Sequence, residues 1–120
     1  SKLGPGLYKT GTSEMIKSWQ ELIDDGEVTV KDGVLDTDRI KIEEKGDLVI
    51  SSSVNEIISF YKGCGGSSDY NVIGLYIPKS VNSIGDFAGE KFLALEKLVI
   101  SDRCKSIGDY AFRMVYYNVE

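Results

Sequence analysis

Three segments of this chain repeat one another. Residues 48–61 (LVISSSVNEIISFY), 75–88 (LYIPKSVNSIGDFA) and 98–111 (LVISDRCKSIGDYA) align without gaps. The first and second copies agree at seven of fourteen positions, as do the second and third, and their starts lie 27 and then 23 residues apart. The identities fall on an apolar frame: Leu48, Leu75 and Leu98; Ile50, Ile77 and Ile100; Ile57, Ile84 and Ile107. An aromatic column, Phe60, Phe87 and Tyr110, completes it. Apolar residues two apart share one face of a strand, so Leu75 and Ile77 are expected to point inward and Tyr76 outward. Pro78 lacks an N–H and ends that strand. A second short strand then carries Val81 and Ile84, Gly85-Asp86 breaks it, and Phe87-Ala88 is expected to begin a helical turn. Such a unit cannot bury its apolar edge alone, so the copies must stack. The expected fold is mainly β with short helices, a solenoid of about three coils over residues 46–120.

The residues of that frame also match a known pattern. Ile77-Pro78-x-x-Val81-x-x-Ile84-Gly85-x-x-Ala88, followed by Leu95 and Leu98-Val99-Ile100, resembles BspA-type leucine-rich repeats. Ile107-Gly108-x-x-Ala111-Phe112 is the most recognisable phrase of that family. The resemblance covers about residues 46–120 and departs in two places. Gly89 stands where a phenylalanine is expected, and the first copy has Ile58 and Tyr61 in place of glycine and alanine, so that coil is expected to be degenerate. The resemblance implies a non-enzymatic protein-interaction module. Such repeats occur in surface and adhesion proteins of anaerobic bacteria, in some protists and in small phage-encoded proteins.

Residues 1–45 precede the repeats and are expected to cap them within one structural domain. Residues 14–26 read as an amphipathic helix, with a capping box at Ser18 and Glu21, an apolar side of Trp19, Leu22 and Ile23, and Gly26 to terminate it. Val28-Thr29-Val30, Asp32-Gly33 and Val34-Leu35 form a hairpin signal, and Ile40 and Ile42 alternate with charged neighbours as one more half-buried strand. The first dozen residues are rich in glycine, serine and threonine and read as an arm that orders on a partner.

Composition narrows the chemistry. The chain has 120 residues and no histidine, which removes Ser-His-Asp and Cys-His catalysis, imidazole acid–base work and histidine-ligated metals together. Its net charge of −5 opposes binding to nucleic acid, which needs a basic stripe. Residues 1–60 hold 12 acids and 7 bases, whereas residues 61–120 hold 7 of each, so the excess belongs to the N-terminal half. The acids cluster as Asp24, Asp25 and Glu27, then Asp32, Asp36 and Asp38, then Glu43, Glu44 and Asp47. Asp36-Thr37-Asp38 lacks the glycine and distal glutamate of an EF-hand loop, so a solvated acidic face is expected rather than a calcium site. No cofactor and no metal ligands are expected. No run of residues is apolar enough for membrane insertion, and the first six residues lack the apolar core of a signal peptide. A bacterial surface or a virion is the expected setting.

Cys64 lies in the loop Gly63-Cys64-Gly65-Gly66-Ser67-Ser68 and Cys104 in an apolar frame; 40 residues apart and without a CxxC, they carry neither a zinc nor a redox signature. That loop lacks the Gly-Lys-Ser/Thr of a phosphate cradle and is expected simply to lengthen one inter-coil connection. Three features point to binding. Val49, Tyr76 and Val99 occupy the outward strand positions and would form an apolar stripe on the face that solenoids offer to partners. Residues 114–119 (MVYYNV) read as a final strand, with Val115, Tyr116, Tyr117 and Val119 at an open edge that could pair with another copy or another protein. Trp19 is a candidate docking anchor, or alternatively part of the cap. The expected partner is a protein at a bacterial or phage surface; a virion structural or decoration role and inhibition of a host enzyme are the alternatives.

Overall fold

The computed structural model describes residues 3–63 and 68–112, with the backbone of 118–119. In chain order its strands are β1 (Gly6–Lys9), β2 (Met15–Ser18), β3 (Val30–Lys31), β4 (Val34–Asp36), β5 (Gly46–Val49), β6 (Glu56–Ser59), β7 (Val72–Ile77), β8 (Ser83–Ile84), β9 (Lys97–Ile100), β10 (Ser106–Ile107) and β11 (Asn118–Val119). One short helix, α1 (Trp19–Asp24), lies between β2 and β3. The fold is mainly β, a solenoid of about three turns in which each coil gives one strand to each of two sheets. The first sheet has the order β11-β9-β7-β5-β1-β2 and the second β10-β8-β6-β4-β3.

The apolar frame dictates this arrangement. Leu48, Leu75 and Leu98 are in parallel register across β5, β7 and β9, and all three are fully buried. Ile57, Ile84 and Ile107 are likewise in register across β6, β8 and β10. The inward residues of the two sheets meet in a single core, which also takes in Val54, Val72, Val81 and Phe92. Backbone hydrogen bonds join the coils directly. The Ile57 C=O accepts from the Gly85 N–H, and the Ile84 C=O from the Gly108 N–H, both at 2.8 Å. The glycines follow from this closeness. A Cβ on Gly85 would lie 2.7 Å from the Ile58 carbonyl oxygen, and one on Gly108 would lie 2.4 Å from the Asp86 backbone nitrogen.

Coil geometry departs from expectation after these glycines. Phe87 and Tyr110 have φ of 59° and 52°, so no helical turn begins there; the chain makes a left-handed turn and leaves both rings exposed. The rings stack, with centroids 5.6 Å apart. Phe60 does not share that column. Its N–H donates to the Ala88 C=O, as the Gly89 N–H donates to the Ala111 C=O, so Phe60 is the structural counterpart of Gly89 and Phe112. The first coil is two residues shorter at this corner, which the gapless alignment hides. Gly89 lacks a side chain because the Phe112 ring is already there: its Cε1 would stand 2.3 Å from a Cβ at Gly89.

The N-terminal end differs from the expected helix-plus-hairpin cap. Residues 15–18 form a strand, and the helix is only six residues long. The capping box explains the boundary: Ser18 is the N-cap, its hydroxyl accepting from the Glu21 N–H while Glu21 Oε1 accepts from the Ser18 N–H, both at 3.1 Å. Helix therefore starts at Trp19 and not before it. Nor do residues 3–12 form a free arm. β1 lies between β2 and β5, antiparallel to both, with Leu7 and Tyr8 buried. The expected hairpin is present as β3 and β4, turning on Asp32 (φ 51°) and Gly33 (φ 79°), both positive as a type I′ turn requires. Each sheet thus ends in an antiparallel hairpin, β1–β2 in the first and β3–β4 in the second. Ile40 and Ile42 are buried as expected but form no strand.

If the coil spacing sets the glycines, replacing Gly108 with valine should cost about 2–3 kcal/mol in urea unfolding, since backbone on the coil below cannot yield. Gly11→Ala is the comparison, with φ of 72° and nothing within 4 Å of the new methyl; it should lose only about 1 kcal/mol from backbone strain. Equal losses would refute a stacking role for Gly108.

Candidate functional interface

The outward positions of the first sheet line up as expected. Val49 faces Tyr76 and Tyr76 faces Val99, and the row extends to Gly6 on β1 and Asn118 on β11. Exposure along the row is uneven. Val49 and Val99 are only 6% and 5% exposed, so they are buried rather than presented as a stripe; Tyr76 is half-buried. Leu3 and Pro5 nevertheless join Val49, Tyr76, Val99, Ile77 and Pro78 in lining a groove of about 190 Å³. Lys97 Nζ lies 5.7 Å from the centre of the Tyr76 ring, a cation–π distance.

A second groove, of about 430 Å³, shares Ser52, Ile77 and Pro78 with the first and adds Lys79, Ser101, Asp102 and Arg103. Together they make a trough with an apolar floor and a charged end. A ligand lying there could bury apolar side chains against Tyr76 and Pro78 and pair its charges with Lys79, Asp102 or Arg103. Strand alternation pointed to Val49, Tyr76 and Val99. It missed Leu3, Pro5 and Lys97, because contacts brought by β1 and by the neighbouring coil leave no local pattern.

The other candidate sites fall as follows. Trp19 is half-buried and packs against the core. Val119 belongs to β11, which pairs in parallel with β9 through Val119 and Ile100 at the end of the first sheet. Val115, Tyr116 and Tyr117 lie outside the described residues, as does Cys64. Burial pushes the Cys104 thiol up, which lowers its nucleophilicity at neutral pH. Among the described residues no cluster of histidine, cysteine and carboxylate side chains could hold a metal ion. No helix among them is long and apolar enough to cross a membrane.

The acidic residues are less uniformly solvated than expected. Glu27 is 6% exposed, and its Oε1 accepts from Lys17 Nζ at 3.0 Å; Asp25 accepts from the same ammonium at 2.7 Å. Asp36 pairs with Lys62 at 3.1 Å. Asp69 is buried and fully used. Its Oδ1 accepts from the Asn71 and Val72 N–H groups at 2.8 Å, and its Oδ2 from the Tyr61 hydroxyl at 2.5 Å. Those bonds tie the connection after the glycine-rich loop to the core. They hold structure, and no carboxylate pair among them is set apart for acid–base work.

The hydrogen bonds to Asp25 and then Glu27 raise the Lys17 pKa well above its usual 10.5. A group whose folded pKa is raised stabilises fully below its unfolded pKa and loses that contribution as pH climbs through the folded value. At neutral pH, Lys17→Met should therefore destabilise by about 1–2 kcal/mol, because it leaves the Glu27 carboxylate buried without a counter-charge. Adding Glu27→Gln should restore part of the loss. Chemical denaturation of these two variants and of Glu27→Gln alone checks this, and an additive double variant would contradict it.

No protein-family model, no curated protein and no solved structure matches this chain.

Proposed function

We propose that this chain is a non-enzymatic protein-interaction module of the BspA-like leucine-rich-repeat type, and that it binds a protein at a bacterial or phage surface. The observation that carries this reading is the trough on the first sheet: a half-buried aromatic residue, Tyr76, set in an apolar floor and bordered by charged side chains. Aromatic anchors that a partner seals off from water are where binding energy concentrates. The solenoid supports it mechanically, since stacked coils hold the floor residues in a fixed row. The setting at a bacterial or phage surface rests on the likeness of Ile107-Gly108-x-x-Ala111-Phe112 to the repeat family.

Capture of envelope proteins from a bacterial extract tests the reading. Tyr76→Asp should abolish capture while shifting the melting temperature by no more than about 2–3 °C, because only part of the ring is buried. Tyr76→Phe should retain it. Undiminished capture by Tyr76→Asp would overturn the trough as the binding face, and equal loss of folding would assign Tyr76 to the core.

A further inference from the structure

One buried carboxylate in the N-terminal half has an incomplete set of partners. Glu27 is 6% exposed, and its Oε1 accepts from Lys17 Nζ at 3.0 Å. That ammonium is shared, since Asp25 Oδ2 accepts from it at 2.7 Å. Glu27 Oε2 is buried with no hydrogen-bond donor among the described residues. A buried acceptor without a donor is costly, and it marks a place where a donor from outside can bind. Glu27 lines a cavity of about 410 Å³ beside β2, the outermost strand of the first sheet. Leu7, Ile16 and Ile42 give this cavity an apolar lining. Lys17 and the exposed Glu43 and Glu44 complete it, so three carboxylates meet one ammonium. An adjoining groove of about 490 Å³ shares Ile16 and Glu44 and continues to Met15, which is 47% exposed. Its other charges, Lys9, Glu14 and Lys45, add nothing to the negative excess, and Lys9 Nζ lies 3.8 Å from Glu14 Oε2.

We propose that this cleft is a docking site for an arginine side chain carried on a peptide segment of a partner protein. Charge selects a cation, and the buried setting selects which cation. A guanidinium is always charged, is more weakly hydrated than an ammonium, and presents its donors in a planar fork. It can therefore supply the donor that Glu27 lacks and bond Glu43 or Glu44 as well. Its aliphatic stem suits the apolar lining of Leu7, Ile16 and Ile42. The adjoining groove identifies the source, because it carries the cleft past the reach of one side chain and leaves room for flanking residues against Met15. The site shares no lining residue with the Tyr76 trough, so the two proposals stand or fall separately.

The test is an NMR titration of the full chain with a short alanine peptide that carries one central arginine and is blocked at both ends. Saturable amide shifts are expected at Lys17, Glu27 and Glu44. The same peptide with citrulline, the uncharged isostere of arginine, should bind about tenfold more weakly. A lysine peptide should bind about threefold more weakly, and so should N-acetylarginine methylamide, which lacks the flanking residues, by about the same factor. On the protein side, Glu27→Gln should weaken binding about tenfold. Glu43→Gln combined with Glu44→Gln should weaken it about three- to fivefold with an unchanged melting temperature, whereas Tyr76→Asp should leave it intact. Absence of saturable shifts, or equal binding of the arginine and citrulline peptides, would overturn the proposal. Equal binding of the lysine peptide would overturn the choice of guanidinium, and equal binding of the methylamide would overturn a peptide as its source.

Discussion

Backbone hydrogen bonds from each coil to the one before it are the interaction on which the rest of this structure depends. They require the coils to approach until a single methyl group would collide, which is why glycine occupies positions 85 and 108. The same approach brings Leu48, Leu75 and Leu98 into one buried column and Ile57, Ile84 and Ile107 into another. Hydrophobic burial supplies the driving force, but it is directionless. The ladder sets the register, and the register decides that Val49, Tyr76 and Val99 fall in a row.

A stack of parallel strands leaves unpaired edges, which attract other chains. At its N-terminal end this protein finishes each sheet with an antiparallel hairpin, and both hairpins are built from segments outside the repeats. That solution has a consequence for the candidate binding face. β1 can pair with β5 only by carrying Leu3 and Pro5 past Val49, so the segment that closes the first sheet also walls the trough. Stability and the shape of the candidate interface therefore have a common origin. Acidity follows the same division: Asp25 and Glu27, in the N-terminal half, are drawn into an ion pair with Lys17 that fastens α1's C-terminal end to β2.

Much of the solenoid was legible in the sequence, because its signal is local and repeated. Leucine and isoleucine two apart are buried wherever they recur, and Asp32-Gly33 marks its turn by conformational preference alone. What stayed hidden depended on non-local partners or on rare backbone states. The apolar pair Leu7 and Tyr8 is too short to show alternation, and only pairing with β2 and β5 makes it a strand. Ser18 and Glu21 did mark a helix start, yet the expected helix began at residue 14, across what is β2. Phe60 aligned with Phe87 because both are aromatic; the hydrogen bond from Phe60 to Ala88 places it elsewhere. Left-handed backbone at Phe87 and Tyr110 has no signature in residue type. Alternation placed Val49, Tyr76 and Val99 in one row, but it did not show that Val49 and Val99 are buried, since burial depends on non-local contacts.

Native-state hydrogen exchange measures the coil-to-coil ladder most directly. The amides of Gly85 and Gly108, with those of Gly46 and Ile50 that bond to Asn71 and Tyr76, should exchange at least about a thousandfold more slowly than in an unfolded chain. They should also share one opening free energy, because the coils support one another. Unprotected amides at Gly85 and Gly108, beside protected ones at Gly46 and Ile50, would contradict the account.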